Sequence, residues 1–151
     1  MFKIAALLIC AILCSSGIFS QTQSPVYLSF TISNANVKGY YKYLPADYNS
    51  SSKSYPLIIW MHGAGQVGQG NPSDLPKVLQ YGVPKIISEG GFPASFTVSD
   101  SSYSFIIISP QFTSWPNGTN VAAMINYAQA NFRINPDRIY LMGISAGGGA
   151  A

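Results

Sequence analysis

Over residues 26–33 apolar and polar side chains alternate, with Val26, Leu28, Phe30 and Ile32 on one side. That is the period of a strand with one face buried. Asn34-Ala35-Asn36 is a turn, and residues 37–44, with Tyr40, Tyr41 and Tyr43, predict a second strand. The two form an N-terminal antiparallel hairpin. After a polar loop over 45–54 the pattern changes. Leu57-Ile58-Ile59-Trp60-Met61, Phe105-Ile106-Ile107-Ile108-Ser109 and Ile139-Tyr140-Leu141-Met142 are runs without alternation, as expected of central parallel strands covered on both faces. Pro110 is expected to end the second run.

Helical spacing appears between these runs. Val121, Met124, Ile125, Ala128 and Phe132 predict a helix over 119–132 capped by Thr119 or Asn120. Residues 75–89 carry Val78, Leu79, Val83, Ile86 and Ile87 on roughly one helical face, and Gly82 and Pro84 predict a break into two pieces. Asn71-Pro72-Ser73-Asp74, the stretch from Gly90 to Pro93 and Asn135-Pro136-Asp137 are turns. Arg138 is expected to open the last strand. Strand, helix and strand in this order imply right-handed parallel crossovers and an α/β fold, a mostly parallel central sheet with helices on both faces. No repeat, linker or second-domain signal is present.

Composition sharpens this picture in a few places. The chain has 151 residues, the size of one ordinary domain, with 48% hydrophobic, 13% aromatic and only 9% charged residues. The formal charge is +3, or +2 without Lys3, and no basic run offers nucleic acid a footing. Residues 1–20 read as a secretory signal peptide: Lys3 is a positive start and residues 4–13 are an apolar stretch too short for stable membrane insertion. Cleavage is expected after Ser20, giving a secreted or periplasmic protein. Both cysteines, Cys10 and Cys14, fall in this leader, so residues 21–151 hold no disulfide and no cysteine metal site. Asn49-Ser50-Ser51 and Asn117-Gly118-Thr119 match glycosylation sequons, patterns that are common by chance.

Two glycine-rich stretches carry the chemistry. The strand over 139–142 runs into Gly143-Ile144-Ser145-Ala146-Gly147, followed by Gly148, Gly149, Ala150 and Ala151. The pattern Gly-x-Ser-x-Gly between an apolar strand and a helix start is a nucleophile elbow. A serine on so sharp a turn takes a strained backbone conformation, and side chains two residues before and after it collide with neighbouring elements. The strand over 57–61 empties into His62-Gly63-Ala64-Gly65-Gln66-Val67-Gly68-Gln69-Gly70. This stretch has no Gly-Lys-Ser/Thr ending and opens no helix with Gly-x-Gly-x-x-Gly, so it does not fit a phosphate loop.

With Trp60-Met61-His62-Gly63-Ala64-Gly65, Ser109-Pro110-Gln111, Asn135 to Tyr140 and Gly143 to Gly148 in hand, the chain resembles secreted α/β-hydrolase-fold esterases. It resembles in particular the polyhydroxybutyrate depolymerase and feruloyl or acetyl-xylan esterase group, and also related phospholipase/carboxylesterase and predicted-peptidase proteins. The resemblance spans residues 37–151. It implies Ser145 as nucleophile and the backbone N–H groups of Ala146 and Ala64, with Gly65 next in line, as oxyanion donors. The short helix after Ser145 would add its dipole. Gly63, Gly143 and Gly147 would support these turns. His62 is the only histidine, but in this fold the base follows the serine in chain order, so its implied part is to brace the oxyanion loop. Gln111 and Trp115, expected on a loop beyond a strand's carboxyl end, are candidates to line the substrate cleft.

The resemblance also implies a triad acid and histidine located after Ser145. Asp74, Asp100 and Asp137 all precede it. Residues 21–151 therefore read as the N-terminal part of one α/β-hydrolase domain whose C-terminal half is missing, expected neither to fold stably nor to hydrolyse esters well alone. The implied reaction is cleavage of carboxylic esters, of plant-polysaccharide or polyester origin, with no metal and no organic cofactor. A prolyl-oligopeptidase-type peptidase and a non-catalytic binding module on the same fold are the alternatives.

Overall fold

A computed structural model describes residues 21–151. The leader expected over 1–20, with its two cysteines, lies outside the described residues. The elements run β1 (Ser24–Ile32), β2 (Val37–Tyr43), β3 (Tyr55–Met61), α1 (Gly82–Ser88), β4 (Phe96–Val98), β5 (Ser101–Tyr103), β6 (Ile106–Phe112), α2 (Gly118–Asn131), β7 (Ile134–Gly143) and α3 (Ala146–Ala150). Two 3₁₀ segments, Ala64–Gln66 and Leu75–Gln80, lie between β3 and α1.

Five strands make one sheet in the order β1-β2-β6-β3-β7. The β1–β2 and β2–β6 pairs are antiparallel, while β6, β3 and β7 are mutually parallel. The hairpin turn places Asn34 and Asn36 at φ 60° and 56°, a left-handed conformation that asparagine tolerates better than most residues.

Two of the three unalternated runs have the expected cause; the third does not, since β7 is the edge strand of the sheet and its residues 139–142 are half-buried or exposed. Every residue of β3 and of β6 is buried. Leu57, Ile59 and Met61 face one layer, packing with Ile106, Ile108 and with Val121, Met124 and Ala128 of α2. Ile58 and Trp60 point the other way, with Ile107 and with Val83 and Ile87 of α1. Helices thus cover both faces, on opposite sides of the strand they flank. Burying side chains such as these stabilises by roughly 1.5–3 kcal/mol each.

The sequence expectations need correction at several boundaries. The Pro110 stop does not hold. The parallel ladder of β6 with β3 ends at Ile108, whereas the antiparallel ladder with β2 continues through Pro110 and Gln111 to Phe112, so proline's missing N–H falls beyond the reach of β3. β7 begins at Ile134, not Arg138. The Asn135-Pro136-Asp137 turn is present as a break in register, Tyr55 pairing with Ile134 and Leu57 with Ile139. An Asp137 N–H donated to Asn135 Oδ1 at 3.0 Å holds it. The first piece of the 75–89 stretch is 3₁₀ rather than α. Pro84 sits in the first turn of α1, where its missing N–H would have had no partner anyway.

The cap of α2 is neither Thr119 nor Asn120. Asn117 takes that position, its Oδ1 accepting from Asn120 N–H while Asn120 Oδ1 accepts from Asn117 N–H, a reciprocal capping box. A small hairpin, β4–β5, went unread; its turn residues Ser99 and Asp100 both have positive φ, 46° and 64°, the conformation of a type I′ turn. Among the described residues, no helix is long and apolar enough to cross a membrane.

Candidate active site

The parallel strands β3, β6 and β7 end at the same side of the sheet, so the loops after Met61, Phe112 and Gly143 converge there. Met61 pairs with Gly143, and Ile144 N–H donates to Met61 O at 3.1 Å. The chain then turns into α3 through Ser145, whose backbone sits at φ 52°, ψ −121°. This is a positive-φ conformation rare for a non-glycine residue, costing on the order of 1–3 kcal/mol.

The glycines around it are fixed by space. A Cβ on Gly143 would lie 2.5 Å from Gly147 O and 2.7 Å from Gly148 N. A Cβ on Gly147 would overlap Met61 O and lie 2.6 Å from His62 O. The first keeps strand and helix in contact; the second lets α3 rest against the end of β3. Ser145 itself is exposed at the strand ends.

Beside it lies the loop that follows β3. A Cβ built on Gly63 would be 3.5 Å from Ser145 Cβ, so these two loops touch. Gln66 N–H donates to Gly63 O and Val67 N–H to Ala64 O, closing one 3₁₀ turn. The N–H groups opening such a turn have no partner inside it. Among the described residues, those of Ala64, Gly65 and Ala146 donate to no protein acceptor. They are the donors that the sequence nominated for an oxyanion.

His62 is 2% exposed and both its ring nitrogens are engaged. Nε2 accepts from Phe112 N–H at 2.9 Å, which fixes the tautomer, and Nδ1–H donates to Gly63 O at 2.7 Å. The ring therefore joins the end of β6 to the first residue of the loop. Burial pushes its pKa below the usual 6.5, against the smaller opposing effect of the Gly63 carbonyl. A neutral imidazole with both nitrogens bound to backbone has no lone pair free to take a proton from Ser145.

Gln111 is placed differently from expectation. It belongs to β6, not to a loop, and it is 0% exposed, so it does not line an open cleft. Its Nε2 donates to Gln66 O at 2.9 Å and to Asp74 O at 2.8 Å, and its Oε1 accepts from Gly70 N–H at 2.8 Å. Trp115 does lie on the loop after β6, 67% exposed. Gln66, which sequence reading passed over, is also buried, with its Nε2 donating to Gln80 Oε1 at 3.0 Å. Its place in a glycine-rich loop gave no signal of burial; only its partners in the fold do.

The acids stand elsewhere. Asp74 pairs with Lys77 at 2.7 Å and accepts from Gln69 N–H, and these hold its carboxyl below the usual range. Asp47 pairs with Lys53 at the opposite end of β3. No group of three or more His, Cys, Asp or Glu side chains is placed to hold a metal ion among the described residues.

No protein-family model and no curated protein sequence matches the chain. Solved structures do. The chain is similar to a ferulic acid esterase with 17% identity and a TM-score of 0.53, covering 87% of this chain and 54% of that one. Matches to a thermostable esterase (22% identity, TM-score 0.43, 72% of this chain and 31% of that one) and to a ferulic acid esterase from Anaeromyces mucronatus (16%, 0.41, 84% and 50%) are looser. The mixed sheet, its helices on both faces and the first of these likenesses define an α/β-hydrolase fold. The chain spans about half the length of the ferulic acid esterase with which it shares that fold.

Proposed function

We propose that this chain carries the nucleophile and the oxyanion site of a secreted serine hydrolase that cleaves carboxylic esters. The observation that carries the reading is Ser145 at φ 52°, ψ −121°, wedged between Gly143 and Gly147 and touching the Gly63 turn. Strained backbone at a glycine-flanked serine is a cost that packing alone has no reason to maintain. The unpartnered N–H groups of Ala64 and Ala146 supply what a tetrahedral oxyanion needs.

In this reading Ser145 Oγ bonds to the ester carbonyl carbon as its proton passes to a base. The bond to the alkoxy oxygen then breaks, and the alcohol leaves with that proton. Water attacks the acyl-serine and releases the acid, restoring Ser145. His62 is committed to Gly63 and Phe112, so the reading calls for a base other than His62, with an acid partner of its own. The fold shared with a ferulic acid esterase supports carboxylic esters, those of plant polysaccharides among them, as the substrate class. The leader over 1–20 would direct the protein out of the cytoplasm.

The test is reaction of the full-length gene product with a fluorophosphonate probe, followed by peptide mapping. Labelling at Ser145 that disappears in Ser145→Ala is the expected result. A folded protein left unlabelled at Ser145 contradicts the reading and favours a non-catalytic module on the same fold.

A further inference from the structure

A loop with glycine at 63, 65, 68 and 70 has little stiffness of its own. An oxyanion donor must nevertheless be in place before the charge forms. The stiffness here comes from three glutamines. Gln111 spends both N–H groups and its carbonyl oxygen on the backbone of residues 66, 70 and 74. Its amide fills the space where a Gly68 Cβ would be, 2.6 Å from the Nε2 atom. Gln66 is held at its carbonyl by Gln111 and at its side chain by Gln80. The Oε1 of Gln66 then lies 3.4 Å from the position of a Gly63 Cβ, which is itself 3.5 Å from Ser145 Cβ.

We propose that Gln111 and Gln80, acting through Gln66, are positioning residues that fix the 63–66 turn against Ser145 and so set the place of the Ala64 N–H. None of them touches the reacting atoms. The proposal rests on Ser145 being the nucleophile, and its consequence is specific: loosening the turn weakens the transition state more than the bound substrate.

The experiment uses Gln111→Glu in the full-length protein, with p-nitrophenyl acetate as substrate and fluorophosphonate labelling, taken to completion, to count active sites. Glutamate keeps the size of the side chain, but its carboxylate has no proton for the carbonyls of Gln66 and Asp74. Expected is a fall in kcat per labelled site of about a hundredfold, the scale of a misplaced group, with KM changed less than about threefold. An unchanged kcat per labelled site in a folded variant overturns the proposal, because a stability role alone lowers the number of sites and not their turnover. If Gln111→Glu does not fold, the exposed Gln80→Ala carries the test: a fall in kcat of at least about threefold is expected, and wild-type kcat overturns it. Absence of labelling in the wild-type protein is a separate result, and it removes the serine reading instead.

Discussion

The Nε2 atom of His62 accepts a hydrogen bond from the Phe112 N–H at 2.9 Å, across two strands that are parallel neighbours. The bond requires a neutral ring, because a protonated imidazole has no lone pair to offer. The sole histidine of the chain is thereby a fastener between β6 and the turn beside Ser145.

Stability should therefore depend on pH through His62. Its folded pKa lies below 6.5, so on acidification the unfolded chain takes up this proton before the folded one does. The stabilising contribution is fully present above the unfolded value and declines as pH falls from there toward the folded value. Thermal unfolding of the full-length protein and of His62→Ala between pH 5 and 8 should show a steeper acid decline in the wild type. At pH 8 the variant, leaving the Phe112 N–H buried and unpaired, should be less stable by about 1–3 kcal/mol in urea unfolding. Parallel pH profiles for the two proteins would contradict this role.

Gly147→Ala should be among the most damaging single-methyl changes in the chain. The added Cβ meets two carbonyl oxygens of backbone, Met61 O and His62 O, which have no side-chain freedom with which to yield. A loss of about 1–3 kcal/mol is expected from overpacking, with ester turnover down by about a hundredfold as Ser145 shifts. Gly149→Ala is the control, since nothing lies within 4 Å of its Cβ. It should be neutral or stabilise by about 0.4–1 kcal/mol.

Gly82→Ala tests the other face of the sheet. Gly82 has φ +62° and its missing Cβ leaves room for the Trp60 indole. The substitution combines a left-handed alanine with a clash against a buried ring, and should cost about 1–3 kcal/mol. Equilibrium urea unfolding measures it, and a loss below about 0.5 kcal/mol would show that Trp60 has room to move.

At α2 the structure moves the cap from the expected Thr119 or Asn120 to Asn117. Asn117→Ala should cost about 1 kcal/mol by removing a cap, while Thr119→Ala, at an exposed helical position, should lie within about 0.5 kcal/mol of wild type. The reverse order would discard the capping box.

These residues also mark what the sequence made legible. Residue pattern found β3, β6 and α2 because burial on both faces, or along one stripe, leaves a direct trace in residue type, whereas β7, equally apolar over 139–142, stands at the sheet edge half-buried or exposed. The sharp turn at Ser145 was legible because Gly-x-Ser-x-Gly is itself the signal, although the atoms that require glycine at 147, Met61 O and His62 O, are distant in sequence. What sequence missed depends on partners distant along the chain. Pro110 passes through a strand only because β3 has already left its side. Gln111 reads as a loop residue until Gln66, Gly70 and Asp74 fold over it, forty-odd residues away in sequence for Gln66 and Gly70. Ser99-Asp100 form a left-handed turn without glycine or asparagine, the usual markers of that conformation.

The most direct test of the central claim is rapid-quench mass spectrometry of the full-length protein with p-nitrophenyl acetate. If Ser145 is an activated nucleophile, an acetyl group should accumulate on the peptide containing Ser145, together with a burst of nitrophenol equal to the protein concentration whenever deacylation is the slower step. Ser145→Ala should show neither. Turnover of the ester by Ser145→Ala at the wild-type rate would contradict the account.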